Sequence, residues 1–443
     1  MINVPIRHPW DEVCIGEVAD VIVGGTPSTS VLRYWGGNIR WMASGDVHQK
    51  RISDVPGRIS QDGLDSSNAK IVEPAAVAVA LAGQGKTRGT AGITLVALCT
   101  NQSVALLKPR TRRLDTAYLY HSLDFRYEEL RGRSAGAGRA GLSKGLIESI
   151  PIPLPEEHEQ KKIAEVLDTV DRAIKQTEAL IAKYQRIKTG LMQDLLTRGI
   201  DEHGRLRDPA THKFKPSPLG QIPEEWEICR LSERVDVLGG KRLPAGHAYT
   251  EDRTSFRYLR VTDFFECELD FGSLVYLRPE TFAALKRYEI RDGELFISIA
   301  GSLGYCGVLR VKNSDRVILT ENAAKLRIRE GFIPEFLAIL INSFQVKRQI
   351  TEEKGTGGGV PKLALFRIEG LKLARPELQE QERLISCLTP INQYLKIELQ
   401  QGAKLKAIKT GLMQDLLTGK VPVEPPLSAN IDETLTRLEF SVE

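Results

Sequence analysis

Gly85, Lys86 and Thr87 lie within "VALAGQGKTRGTAGI" (Val79 to Ile93), a stretch that comes after an apolar run and carries the ending of a phosphate-cradling loop. Such a loop wraps phosphate in backbone N–H groups and passes at once into a helix whose N-terminus faces the charge. Ala80 occupies the first glycine position, with four residues between it and Gly85. After Thr87 comes "RGTAGITLVALCT", with Gly89, Gly92 and then β-branched residues, which reads as a returning strand. The expectation is therefore a glycine hairpin rather than a nucleotide site. It is either purely structural or a tip that presents Gln84, Lys86, Thr87 and Arg88 to something acidic.

Other chemistry has less to stand on. The seven histidines form no HExxH or metal-spaced pair, the serines no GxSxG, and the six cysteines no CxxC or zinc spacing. Glu352-Glu353-Lys354 resembles the end of a nuclease carboxylate–lysine triplet but lacks a Pro-Asp partner on a nearby strand. No Asn-Pro-Pro-Tyr-like tetrapeptide for base amination and no glycine-rich nucleotide fingerprint occurs. The chain is expected to be non-catalytic, with no metal or cofactor of its own.

The elements that would position these residues repeat. "RIKTGLMQDLLTRG" (Arg186 to Gly199) recurs as "AIKTGLMQDLLTGK" (Ala407 to Lys420), with Lys188 and Lys409 standing 221 residues apart. At the same offset "LPEEHEQKKIAEVL" (Leu154 to Leu167) lies on "RPELQEQERLISCL" (Arg375 to Leu388). Ile163, Val166, Val170, Ala173, Thr177, Leu180, Tyr184, Ile187 and Leu191 alternate spacings of three and four, a heptad seam flanked by Leu167, Ile174, Ile181 and Leu195. The second copy keeps its seam through Leu384, Cys387, Ile391, Tyr394, Leu405, Ile408 and Leu412, with Glu398 and Gln401 in the middle. Pro155 and Pro376 precede these helices, acidic first turns suit the helix dipole, and Gly199 and Gly419 supply stops. A helix of about 40 residues spans about 60 Å, so two in one chain are expected to pair.

Weaker matches precede each helix. Trp10 to Gly25 resembles Trp226 to Gly240, and "ALAGQGKTRGTAGI" falls opposite "SIAGSLGYCGVL" (Ser298 to Leu309). The fold class expected is α+β, with two β-rich globules and two long antiparallel coiled-coil helices in an internal pseudo-two-fold repeat. The expected boundaries are a globule at 1–155, a helix at 156–199, a linker at 200–222, a second globule at 223–376, a second helix at 377–420 and a tail at 421–443. Antiparallel pairing of the helices would hold the globules apart like jaws, an arrangement suited to bipartite recognition.

A chain of 443 residues exceeds the roughly 250–300 at which single cores stop growing. The charge of +4 and pI near 8.6 are compatible with nucleic acid without requiring it. No window approaches the roughly 18 apolar residues of a membrane span, and no secretory leader is apparent, so a cytoplasmic, non-membrane protein is expected. Basic and small residues in predicted loops are the DNA-facing candidates, because glycine-rich loops let backbone approach phosphate while Lys and Arg supply affinity. They are Arg139 and Lys144 in "RGRSAGAGRAGLSK", Lys354 and Lys362 in "EKGTGGGVPK", Lys241 and Arg242 after Gly240, and Ser302 and Tyr305 in the second hairpin.

The duplicated "PEEHEQKKIAEVL" and "PELQEQERLISCL", the duplicated "KTGLMQDLLT" and the linker "HGRLRDPATHKFKPSPLGQIPEEW" resemble the specificity subunit of type I restriction-modification systems. That resemblance implies two target recognition domains reading the halves of a split double-stranded DNA site, with the helices setting their separation. It also implies methyltransferase subunits that methylate adenine with S-adenosylmethionine, and restriction subunits that use ATP and Mg²⁺. Glu156, Glu159, Gln160, Lys188, Gln193 and Asp194, with their counterparts Glu377, Glu380, Gln381, Lys409, Gln414 and Asp415, are the candidates for facing those partners. The tail after Val421 has no counterpart behind the first helix. The other reading is a coiled-coil interaction adaptor without DNA binding.

Overall fold

A computed structural model describes residues 10–133, 141–265, 268–269, 272–311, 315–352 and 362–423. Two compact units result, one of Met1–Glu178 with Gln400–Glu443 and one of Ala179–Leu399. The sequence repeat runs globule then helix, whereas each compact unit takes one globule, the start of the helix behind it, and the end of the other long helix.

In the first unit a five-stranded sheet has the order Ala19–Val23, Val104–Pro109, Val77–Ala80, Ala91–Thr94, Arg51–Ile52. Val77–Ala80 has no solvent face, which explains its unbroken apolar run. Val77 and Val79 join a core that includes Tyr118, Ile163 and Leu167, while Ala78 and Ala80 join Leu98, Val104 and Leu106 behind the sheet. The strand expected after the glycine turn is present, since Val79 faces Ala91 and Val77 faces Ile93 in antiparallel register.

The second unit repeats four of these strands in the same spatial order, Val235–Gly239, Ala323–Ile328, Leu295–Ser298 and Cys306–Val308. Leu295 and Ile297 face one core and Phe296 another. Each globule is closed by pairing its first strand with the strand that enters the long helix. Asp11–Cys14 pairs with Pro151–Leu154, and Glu227–Arg230 with Lys372–Arg375.

The long helices are Glu157–Arg198 and Leu378–Leu416, the second continuing through Pro390. They pack together, antiparallel within each unit. In the first, Lys406 pairs with Glu178 at 2.7 Å and Lys409 with Asp171 at 2.8 Å, while Met413 and Leu416 join the core of Ile163 and Leu167. In the second, the Tyr184 and Tyr394 rings stack with centroids 5.7 Å apart, and Leu195 shares a core with Leu384 and Leu388. The seam is narrower than its sequence pattern suggests. Leu180, Ile187, Tyr394 and Ile408 are exposed, because one partner helix cannot cover an apolar stripe that is wider than a two-helix contact.

Gly199 ends the first helix at φ +63°, where a Cβ would lie 2.4 Å from both Arg207 Nη1 and Glu380 Oε1. No other residue fits this turn. No helix among the described residues is long and apolar enough to cross a membrane.

Candidate nucleic-acid interface

The turn between Val77–Ala80 and Ala91–Thr94 carries Gly83, Gly85 and Gly89 at positive φ. Its carbonyls are taken up within the chain. Arg131 Nη1 donates to Gly85 O at 2.7 Å, and Lys86 O accepts from Tyr127 OH at 2.8 Å and from Thr90 Oγ1 at 2.9 Å. Gln84 and Lys86 are left exposed, with Thr87 and Arg88 half-buried beside them. His48 joins the tip, its Nε2 lying 3.1 Å from Thr87 Oγ1. No helix starts at Thr87, so the geometry of a phosphate loop is absent and the cations Lys86 and Arg88 sit on a turn instead.

The second tip is built on Ser298, whose hydroxyl donates to Ser302 O and accepts from Tyr305 N at 2.8 Å. Lys347 donates to Gly304 O, with its ammonium 5.8 Å from the Tyr305 ring centre. Ser302 is exposed and Tyr305 half-buried. The chain returns beside each hairpin after its glycine-rich loop, through Leu142 N to Leu81 O at 2.9 Å and Leu363 N to Ile299 O at 2.8 Å. The second return places Lys362, exposed, opposite Ala300. Lys144 is exposed and pairs with Glu148 at 3.5 Å. Lys241 and Arg242 are exposed on a separate turn that docks through Lys241 N on Leu319 O. Arg139 and Lys354 lie outside the described residues. An open cleft lined by Gly24, Thr26, Asp65, Asn68 and Gln102 is polar, unlike the apolar pocket expected for a small ligand.

Four of the residues expected to face partners turn inward, and the reason is chemical. Gln160 accepts from Asp115 N and donates to Arg113 O and Pro155 O, each at 2.8 Å. Gln381 makes the same set with Ile333 N, Gly331 O and Pro376 O, each at 2.9 Å. With acceptor and both donors used inside the chain, neither amide remains for a partner. Glu380 is likewise committed, bidentate to Arg207 and accepting from Trp226 Nε1 and Ile200 N at 3.0 Å. Glu159 is buried. Glu156, Glu377, Gln193, Asp194 and Gln414 are exposed, Lys188 is half-buried, and Asp415, also half-buried, pairs with Lys420 at 3.5 Å.

Lys409 also points inward. It bonds Asp124 at 3.3 Å and Asp171 at 2.8 Å, while Lys50 bonds Asp124 at 2.6 Å. Burial works against the Lys409 ammonium, but the Asp124 and Asp171 carboxylates override it and hold its pKa above the usual lysine value. Burial opposes ionisation of Asp124 too, and Lys50 and Lys409 override it, leaving that carboxyl below the usual range. Next to it His121 Nε2 lies 2.7 Å from Asp168, which also pairs with Arg51. His121, Asp168 and Asp171 have donor atoms within 4.8 Å of one another, the spacing of a metal site. Arg51 and Lys409 already neutralise that charge, so a divalent ion would have to displace two resident cations. None of His48, Asp124, Tyr127 or Lys347 is marked by a sequence motif; Arg131 opens the basic stretch "RGRSAGAGRAGLSK", and its i, i+4 spacing from Tyr127 is the further local signal.

Residues 7–185 match the family described as type I restriction modification DNA specificity domain. The MjaVIII type I restriction enzyme specificity subunit of Methanocaldococcus jannaschii is 23% identical over 433 residues, 96% of each chain. The crystal structure of the type I S subunit from M. genitalium covers 96% of this chain and 99% of its own, with 16% identity and a TM-score of 0.59. A structure solved to explain complex assembly and conformational transition of the type I restriction-modification system covers 94% and 100%, with 15% identity and a TM-score of 0.50. The whole-chain likenesses run along both halves, while the family match lies in the first. The chain is thus similar along nearly its whole length to specificity subunits of type I restriction systems, and its residues 7–185 match the type I restriction modification DNA specificity domain.

Proposed function

We propose that this chain reads a bipartite double-stranded DNA site, one half-site per globule, and scaffolds methyltransferase and restriction subunits in the cytoplasm. One observation carries the reading. Two globules of the same strand order end in hairpins at the same place, both held through their carbonyls and decorated differently. Gln84, Lys86, Thr87 and Arg88 suit phosphate and base edges in one globule, and Ser302, Tyr305 and Lys362 in the other. Lys144, which pairs with Glu148, and Lys241 and Arg242 are further exposed cations suited to phosphate contacts.

Catalysis belongs to the partners in this reading, with S-adenosylmethionine, ATP and Mg²⁺ bound there and used for adenine methylation and restriction. Support for assembly comes from the solved type I assembly, whose fold this chain shares. The exposed Gln193, Asp194 and Gln414 on the duplicated helix ends, with Glu156 and Glu377 at the helix starts, form the partner-facing set. The continuous helices set the spacing of the half-sites.

The test is binding and methylation by the chain with its methyltransferase on duplexes altered in one half-site at a time. Base changes in either half-site should weaken binding while changes in the spacer sequence do not, and binding should fall steeply with salt. Equal binding to all duplexes would favour the adaptor reading instead.

A further inference from the structure

We infer that Arg131 and Lys347 are positioning residues for DNA recognition, each a cation on a helix that locks the neighbouring hairpin by a tip carbonyl; this rests on the reading that the tips contact DNA. The first tip has three glycines at positive φ, and such a turn has wide conformational choice unless something restrains it. Discrimination between bases suffers when a reading element must be ordered at the moment of binding. The restraint lies in the helix Tyr127–Arg133. Arg131 Nη1 donates to Gly85 O at 2.7 Å and to Tyr127 OH at 2.8 Å, and that hydroxyl donates in turn to Lys86 O at 2.8 Å. A Cβ on Gly89 would meet Leu130 Cβ and Arg131 Cγ at 3.3 Å, so the same helix face also seats the end of the turn.

The second tip has the same device made from other parts. Lys347, on the helix Phe344–Glu352, donates to Gly304 O and lies 5.8 Å from the Tyr305 ring centre. Gly304 has φ +72°, and a Cβ there would fall 2.5 Å from Ile350 Cδ1 on that helix. Each clamp thus joins a helix-borne cation, a tyrosine ring and a tip glycine at positive φ. The cation differs between the two, a guanidinium in one and an ammonium in the other, while the bond to a tip carbonyl is kept. A charge-assisted bond to a carbonyl is also stronger than a neutral one, which suits a turn that must keep its shape beside phosphate.

The experiment uses the full chain in complex with its methyltransferase, and duplexes of the site mapped by adenine methylation in the host. Discrimination is the ratio of affinities for the mapped site and for a duplex with one base pair changed in a single half-site. Arg131→Met should lower discrimination about tenfold at the half-site that Lys86→Ala affects and leave the other unchanged. Lys347→Met should do the reverse. Arg131→Lys, which retains a charged donor but loses the fork, should fall between the two. Because Arg131→Met could reduce folding, thermal midpoints are measured alongside, and Arg131→Lys carries the comparison if that variant unfolds. Discrimination falling at both half-sites together, or staying intact in the Arg131 variants while Lys86→Ala lowers it, would overturn the clamp. An unaltered chain that shows no half-site dependence would instead overturn the DNA reading and the clamp with it.

Discussion

Lys409 and Lys188 occupy the same place in an eleven-residue identity, but they live in different surroundings. In the first unit Lys409 is held between Asp124 and Asp171, with Lys50 completing the group and His121, Asp168 and Arg51 next to it. In the repeat, Asn392 stands where Asp171 would be and Thr389 where Asp168 would be, so the second unit lacks these carboxylates. Its buried Arg207–Glu380 pair and Trp226 indole lie at another place, the Gly199 end of the first helix, whose counterpart in the first unit is Gly419 beside the Trp10 ring. Identity between repeats therefore reports descent and the helix, and the side-chain role has to be read from its neighbours.

The largest expected effect is at Glu380. Glu380→Ala leaves the Arg207 guanidinium buried without its carboxylate and strands the Trp226 and Ile200 N–H groups, costing about 4 kcal/mol. Denaturant unfolding should show the second unit lost first. An equal loss in both units would mean that the junctions are not independent.

Lys409→Ala should cost about 3 kcal/mol, since it leaves Asp124 and Asp171 facing each other partly buried. Lys188→Ala should cost less than about 1 kcal/mol. Similar losses from the two substitutions would break the comparison.

The charged junction also makes a pH prediction. The folded carboxyls of Asp124 and Asp168 titrate below the unfolded value of about 3.9, so their stabilisation is present above it and fades as pH falls through the folded values. Lys409 is raised, so its contribution is full below about 10.4 and is lost as pH rises through the folded value. Asp124→Asn should flatten the acid limb of stability against pH for the first unit and leave the second unit's profile as it was. A change in both profiles would contradict the assignment. The smallest effect expected is at the tip, where Lys86→Ala should reduce the slope of log affinity against log salt for the whole site by about 1.

The repeat, the two-helix plan and the hairpin were legible because periodicity and glycine turns are local signals. The inward turn of Gln160 and Gln381 was not, since a polar residue in an acidic first turn reads as solvated until the loops at Arg113 and Gly331 are seen to fold over it. Leu180 and Ile187 show the opposite error, apolar spacing without a second helix wide enough to cover it. The clamp residues escaped for a plainer reason. Arg131 meets Gly85 across 46 positions and Lys347 meets Gly304 across 43, and no short pattern records such a contact.

The central claim is that each globule reads one half-site. Its most direct test is a genome-wide map of methylated adenines in a host carrying the chain with Gln84, Lys86 and Arg88 changed together to alanine. The expected result is a motif that loses sequence requirement in one half while the other half and the spacer length stay as they were. A motif unchanged in both halves, or degraded in both at once, would contradict it.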